Sequence, residues 1–572
     1  MSNNDFHLGA YFGSWSSYRQ PVRDDQIADK IGGYQALPGY TQNTAVDPAN
    51  PHKEAFLQAN AVKNGQLSEL VDDIYYGFLQ AHADQPTSKN YGTVVNNNEY
   101  GKLFFQDPWS DLTGSDCNMV QQNEFLMPST QRNVLESNVC PWGMKYNFFG
   151  AAMKLGIDGK IIAVGGYGDE YTKHWETAAR YPDNFVSSIK TIKHYYPDIK
   201  GIDLDWEPIS LVDPAKIISL TKAIKEEMGD DFHVSFPIGV NTDQLRNFGQ
   251  ANWVELSKYV DQFNLMDYDI HGYFDKGDGA KTGLHTQLYR ANASEKFSVD
   301  DQVSLLESYG IPDSKMSLGL ATYGRGMSGV TGEGIGQVFD HKYMGDMDLK
   351  ATPWYETSIE SNVEIQGVSS YQWINYALTH NLARAQNIEQ HDVTVNHDGK
   401  NVVIGSYVNF DDSGYGKTFM SYDSPAAIEA KVEYAYDKGM AGVFFWSLET
   451  DSVINDHSLI KTAYDKIHEL SSVKSVISPV SAGDTSVNFG NYPSIRSQDS
   501  IDVFNGHVGF PGSHMSWGHD TKNTETMDIS QDSFEYNPDN PAVIMNNKGN
   551  INIYFNNDSA INEYPIENLL IA

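Results

Sequence analysis

Cysteine is nearly missing from this 572-residue chain, which holds only Cys117 and Cys140. That excludes a disulfide-stapled scaffold, because such folds are short and cysteine-dense. The pair could close one bridge, which would suit an oxidising destination, or stand as two thiols, the more economical reading in so long a chain. Positive charge is scarce as well. Forty Lys and Arg stand against 75 Asp and Glu, a net charge of −35, with a pI near 4.7. An acidic surface of this kind argues against nucleic acid and membrane as partners and favours a neutral or cationic ligand. No stretch is long and apolar enough to span a bilayer. The opening residues, Met1-Ser2-Asn3-Asn4-Asp5-Phe6, have neither a basic region nor an apolar run, so no classical secretory signal is expected. Internal repeats and low-complexity tails are lacking too.

Aromatic residues are plentiful instead, with 34 Tyr and 10 Trp. Their faces can stack on sugar rings or fill a large core. The length predicts two or three units, and the apolar pattern divides accordingly. Residues 8–13, 72–79, 160–166, 201–207, 232–237, 260–266, 315–321 and 441–446 read as eight strands. Helices are predicted between most of them. One runs through Tyr195 with Asp183 or Asn184 as its cap. Another has Asp213 as cap, Pro214 at its first position and Gly229 past its end. Ser298-Val299-Asp300-Asp301 resembles a capping box for a helix stopping at Gly310, and Ser424-Pro425 opens one closed by Gly439. Eight strands with intervening helices are the count of a (β/α)8 TIM barrel, an α/β fold.

Three further regions interrupt or follow that pattern. Residues 80–145 lack periodicity and read as an elaborated loop on one barrel face. Residues 326–420, between strands 7 and 8, are far too long for a simple connection. They contain alternating pieces, Asp392–Val395 and Val402–Ile404, and a helical stretch from about Trp373 to Ala385, so a small α+β insertion is predicted there. It would stand at the carboxyl ends of the strands, where barrel enzymes keep their active sites. A final helix from about His457 to Leu470 completes a catalytic unit of residues 1–471. Residues 472–572 are rich in Asn, Ser, Asp and Gly and show short runs such as Ile551-Asn552-Ile553-Tyr554-Phe555, which predicts a C-terminal all-β domain.

The chemistry concentrates in Gly201-Ile202-Asp203-Leu204-Asp205-Trp206-Glu207. A strand sends residues i, i+2 and i+4 to one face, so three acids stand in a row while Ile202, Leu204 and Trp206 face packing. Each charge opposes ionisation of the next. Such a cost is tolerated where a carboxyl must keep its proton near neutral pH, as a general acid does. A plain acidic surface strand is the ordinary alternative, and a calcium loop fits poorly because its ligands need a Gly-bent loop. After strand 6 come Met266, Tyr268 and Asp269, a phenol and a carboxylate aimed at the same mouth. Trp446 ends strand 8, where a large aromatic is more often core than site. Gly165-Gly166 could be a turn or make room for a ligand near the backbone.

Together these motifs resemble family 18 of the glycoside hydrolases, the chitinase family. The resemblance rests on Gly201 to Glu207, on Met266, Tyr268 and Asp269, on Tyr11-Phe12, on Gly319, Tyr323, Gly324 and Arg325, on Phe445 to Leu448, and on Thr418 to Asp423. It covers about residues 8–470 and leaves out the C-terminal domain. It implies that Glu207 protonates the glycosidic oxygen and that the substrate's own N-acetyl oxygen is the nucleophile, an exception to the two-carboxylate scheme. It further implies that Asp205 holds the acetamido N–H, that Asp203 shares a proton in the row behind it, that Tyr268 donates to the acetamido oxygen and orients it, and that Asp269 binds nearby polar groups. Trp446 would floor the cleavage site, and Tyr11, Met266, Trp206, Tyr323 and Arg325 would complete the substrate contacts. Neither metal nor cofactor is implied.

Three departures bear on these roles. Lys200 stands where the family commonly has Asp, Ala163 where it often has Ser, and Pro208 where an aromatic is usual. The first two should touch the support of the acid row. The resemblance implies chitin or N-acetylglucosamine oligosaccharides as substrate, with extracellular action by a non-classical route. It also extends to chitinases that accompany bacterial insecticidal toxin complexes, which would make subunits of such an assembly partners. A sugar-binding lectin on the same barrel and an endo-acting enzyme on N-glycans stay open beside the chitinase reading.

Overall fold

The barrel strands are apolar along most of their length, as expected of a parallel sheet covered on both faces. A computed structural model of the chain describes residues 6–13, 70–85, 95–112, 116–129, 132, 148–153, 156–275, 280–339, 367–379, 385–412, 416–451 and 458–477, and the backbone of six short strands between 502 and 565. The first eight strands are β1 (His7–Gly13), β2 (Asp73–Ala81), β3 (Leu103–Phe105), β4 (Gly159–Tyr167), β5 (Gly201–Glu207), β6 (His233–Gly239), β7 (Gln262–Met266) and β8 (Met316–Ala321). Five more follow, β9 (Tyr323–Ser328), β10 (Val368–Ser370), β11 (Ala385–His397), β12 (Lys400–Asp412) and β13 (Gly416–Tyr422), before β14 (Gly442–Trp446). Hydrogen bonding runs β1-β14-β8-β7-β6-β5-β4-β2, and a β1–β2 pairing closes the ring. These eight strands are parallel. They form the (β/α)8 barrel.

Local chemistry accounts for the helices between them. Asp213 caps Pro214–Met228 by accepting from the backbone N–H of Ala215 and Lys216, and Gly229 takes a positive φ just beyond. Ser298 and Ser424 cap Val299–Ser308 and Pro425–Lys438 in the same way. The helix Pro182–Tyr195 differs from expectation. Neither Asp183 nor Asn184 caps it; Pro182 opens it directly after Tyr181. A further helix, Asp169–Arg180, precedes it, so β4 is followed by two helices.

The elaboration after β2 contributes β3, antiparallel to the end of β2, and the short helices Pro108–Asp111 and Cys117–Gln122. Cys140 lies outside the described residues, so the question of a bridge to Cys117 does too. Between β8 and β14 the chain forms a second sheet in the order β10-β9-β13-β12-β11, antiparallel throughout. The helix there is Tyr371–Thr379, and Ala385 starts a strand rather than ending the helix. The last helix runs from Leu459 to Ile477, well past Leu470. Residues 1–468 and 469–572 are separate units. In the second, described backbone forms a four-stranded antiparallel sheet and a hairpin; Ile551–Ile553 belongs to it, while Tyr554 and Phe555 lie outside the described residues.

Candidate active site

Strand alternation in β5 turns Asp203, Asp205 and Glu207 to the barrel interior and Ile202, Leu204 and Trp206 outward. The outward three are 0%, 0% and 1% exposed, so each contributes about 1.5–3 kcal/mol of apolar burial beneath the surrounding helices. Trp206 stacks on Trp175 at 5.8 Å and 10°, and its indole N–H donates to Thr172 Oγ1. The expectation that Trp206 contacts substrate is therefore corrected: it faces away from the acids. Gly165 and Gly166 have φ near +140°. A Cβ on Gly165 would sit 1.9 Å from the Asp205 carbonyl oxygen, and one on Gly166 would strike the Tyr171 ring. Their room serves the neighbouring strand and a helix side chain.

Asp203 is fully buried and receives three donors. Tyr11 Oη donates to Oδ2 at 2.8 Å, Ser235 Oγ to Oδ1 at 2.5 Å, and Asn264 Nδ2 to Oδ1 at 3.2 Å. Asn264 is oriented by Gln262, whose amide donates to Asn264 Oδ1 at 2.7 Å and to Tyr75 Oη at 2.8 Å. Burial pushes Asp203 up to about 7, while the three donors pull the other way. Tyr11 is 3% exposed and stacks on Tyr75 at 4.5 Å. Its hydroxyl is committed to Asp203, so it supports the acid row and is not a substrate contact as expected.

Asp205 and Glu207 hydrogen-bond each other, which requires one proton between them. Asp205 is held well above the usual carboxylate range by burial, then by Glu207 and Asp203. Glu207 is pushed up to about 7 by burial, with Asp269 and Asp203 adding to it and Asp205 opposing. Asp205 Oδ1 is buried without a hydrogen-bond partner among the described residues. Tyr268 is buried too, and burial first, then Tyr323 and Glu207, keeps its phenol protonated.

Asp269 is held differently. Burial would raise it, but Arg325 and His285 overcome that and hold the carboxyl far below its usual range. Arg325 Nε donates to Oδ1 at 2.7 Å and Nη2 to Oδ2 at 2.5 Å, a two-pronged grip. Tyr323 Oη donates to Oδ1 at 2.7 Å, and His285 Nδ1 stands 3.8 Å away. Asp269 itself has φ +60°, a conformation costing of order 1 kcal/mol for a residue with a side chain. Tyr323 and Arg325, expected as substrate contacts, are instead the clamp on Asp269.

Trp446 at the end of β14 is partly exposed, with its ring 5.9 Å from Phe78 and 5.5 Å from Tyr11. Met266 is partly exposed and packs on the barrel cluster of Tyr11, Tyr75, Tyr268, Tyr323 and Phe444. Lys200 is exposed at the amino end of β5, so this departure does not touch the row. Ala163 does, as the β4 residue directly across from Asp203. Sequence reading missed Ser235, Asn264 and Gln262, although period-two counting along β6 and β7 could have put them on the inward face. It also missed Tyr167, which is 71% exposed at the mouth and in register with Glu207. Among the described residues no cluster of His, Cys, Asp or Glu is arranged to hold a metal ion.

A closed parallel barrel with Glu207 at its carboxyl mouth, backed by two further acids, places a general acid where barrel enzymes keep their active sites. The model of Glycosyl hydrolases family 18 matches residues 8–451, and the chain belongs to that family. Chitinase C of Streptomyces lividans is 27% identical over 266 residues, which are 45% of this chain and 36% of that protein. The chain thus spans about a third of that relative's length. Endochitinase 1 of Metarhizium robertsii is 24% identical over 446 residues, 75% of this chain and 85% of the relative. The Group IV chitinase of Ostrinia furnacalis, solved in complex with allosamidin, has a TM-score of 0.52 at 16% identity, covering 82% of this chain and 99% of that one. At such identity the likeness establishes the fold.

Proposed function

We propose that this protein is a chitinase, cleaving β-1,4-linked N-acetylglucosamine chains with retention of anomeric configuration. The observation that carries this reading is the row itself. Glu207 keeps a proton near neutral pH, and beside it Asp205 Oδ1 is a buried acceptor with no donor in the described protein. An acetamido N–H is the group such an oxygen accepts. In the first step Glu207 gives its proton to the glycosidic oxygen as that bond breaks, and the acetamido carbonyl oxygen bonds to the anomeric carbon. Asp205 accepts the acetamido N–H and offsets the positive charge of the oxazolinium ring. Tyr268 donates to the acetamido oxygen and aligns it. In the second step the Glu207 carboxylate takes a proton from water, whose oxygen opens the ring at the anomeric carbon. Asp269, the other acid nearby, is occupied by Arg325 and Tyr323, which suits a mechanism needing no second carboxylate nucleophile.

Chitin oligosaccharides, with Trp446 and Tyr167 as aromatic surfaces for the sugar rings, are the proposed substrates. Because polymeric chitin lies outside cells, the proposed place of action is extracellular. Association with a toxin assembly through residues 80–145 or 472–572 belongs to the same proposal, and co-purification on size exclusion tests it. The activity is tested by incubating wild type and Glu207→Gln with chitohexaose, cellohexaose and a high-mannose glycoprotein, following product anomers by proton NMR. Wild type should release β-anomers from chitohexaose alone, and the variant should bind without turnover. Comparable cleavage of cellohexaose, or α-anomers released first, would overturn the mechanism; glycan release without chitohexaose cleavage would make the enzyme an N-glycan hydrolase.

A further inference from the structure

The peptide that follows Trp446 is held at both of its polar ends by a single residue of another strand pair. Thr322 stands between β8 and β9, directly after Ala321, the register partner of Trp446. Its backbone N–H donates to the Trp446 carbonyl oxygen at 3.1 Å. Its side-chain oxygen accepts from the Ser447 backbone N–H at 2.8 Å and donates to the Ser447 carbonyl oxygen at 2.6 Å. Thr322 is 0% exposed and Ser447 3%, too deep for solvent to replace these partners. The other hydroxyl nearby is a weaker substitute: Thr450 Oγ1 lies 3.4 Å from the Ser447 nitrogen. Thr322 is itself anchored, because its carbonyl oxygen accepts from the backbone N–H of Tyr371, where the helix of the insertion begins.

This grip decides which way the Trp446 ring points. Phe78 at 5.9 Å and Tyr11 at 5.5 Å bound the ring from the side, but the direction of its Cα–Cβ bond follows the peptides before and after it. The β14–β8 ladder fixes the first of these, and Thr322 fixes the second. We propose that Thr322 is a positioning residue of the reaction: its hydroxyl sets the plane of the Trp446–Ser447 peptide and so holds the indole face under the sugar at the cleavage point. This rests on the chitinase reading above, in which Trp446 floors that site. Thr322 touches no substrate atom and acts through Trp446. A floor that can tilt loses contact with the sugar face and must be ordered again each time substrate binds, so affinity falls.

The test is steady-state kinetics on chitohexaose for wild type, Thr322→Val, Thr322→Ser, Trp446→Ala and the double variant Thr322→Val/Trp446→Ala. Val keeps the shape of Thr and lacks the hydroxyl. Thr322→Val should raise KM about fivefold, with kcat changed less. Thr322→Ser should bring KM back to within about twofold of wild type. Once the indole is gone, Thr322→Val should have no further effect on KM. An unchanged KM in Thr322→Val overturns the proposal, and so does a Thr322→Ser variant as impaired as Thr322→Val. A merely structural role would give the same loss with and without the indole, and that result overturns it too. Fluorine NMR of protein labelled with 5-fluorotryptophan reads the indole without substrate. The Trp446 line, assigned by its absence from Trp446→Phe, should be single in wild type and shifted, broadened or split in Thr322→Val. An unmoved line overturns the proposal, and this measurement judges Thr322 even if wild type proves unable to cleave chitohexaose. Should Thr322→Val fail to fold, Thr322→Ala takes its place in both measurements with the same outcomes.

Discussion

Replacing Glu207 by Gln should stop turnover and, above neutral pH, make the protein more stable. The ordinary value for this carboxyl is 4.5, and in the fold it is pushed up to about 7. Below pH 4.5 the group is protonated both folded and unfolded, and it contributes no penalty. As pH rises from 4.5 to 7 the unfolded chain releases the proton while the fold retains it, so wild-type stability falls across that window. Above 7 the full difference is lost. A shift of this size corresponds to about 2–3 kcal/mol once partial exposure at the barrel mouth is allowed for. Unfolding entropy of about 2 cal/mol/K per residue over the 468-residue catalytic unit gives roughly 1 kcal/mol/K. The variant should therefore melt about 2–3 °C above wild type at pH 8 and within about 0.5 °C of it at pH 4. Scanning calorimetry at pH 4, 6 and 8 measures the offset. An offset equal at all three pH values, or a variant no more stable at pH 8, would refute the assignment of a buried proton to this carboxyl. The same proton predicts that wild-type kcat declines as pH rises past about 7.

Two other perturbations separate the clamp from the floor. Arg325→Lys keeps the charge but loses the two-pronged grip on Asp269; kcat/KM on chitohexaose should fall about tenfold, with the melting temperature at pH 6 nearly unchanged. Trp446→Ala removes an aromatic face, so KM should rise about tenfold while both limbs of the pH profile stay in place, as steady-state kinetics across pH would reveal.

Much of the catalytic row was legible without a structure because strand geometry is local. A period of two puts Asp203, Asp205 and Glu207 on one face in any strand, whatever lies beside it. Counting apolar runs gave eight strands for the same reason, and capping at Asp213, Ser298 and Ser424 depends on residues a few positions apart. The same alternation already placed Trp206 opposite the acids, against the substrate role implied by resemblance.

What the row does chemically was decided elsewhere in the chain. Tyr11, Ser235 and Asn264 meet Asp203 across separations of 192, 32 and 61 residues, and Arg325 reaches Asp269 across 56. No local period relates such positions. The meeting at Asp203 follows from barrel closure and from the register of parallel strands, where shifting one strand by a single residue would turn that strand's own side chains to the opposite face. The sequence by itself therefore determined which acids share a face. Only the tertiary structure decided that Asp203 is ringed by donors, that Asp205 turns to Glu207, and that Asp269 is clamped, because each of those depends on what the neighbouring strands bring alongside.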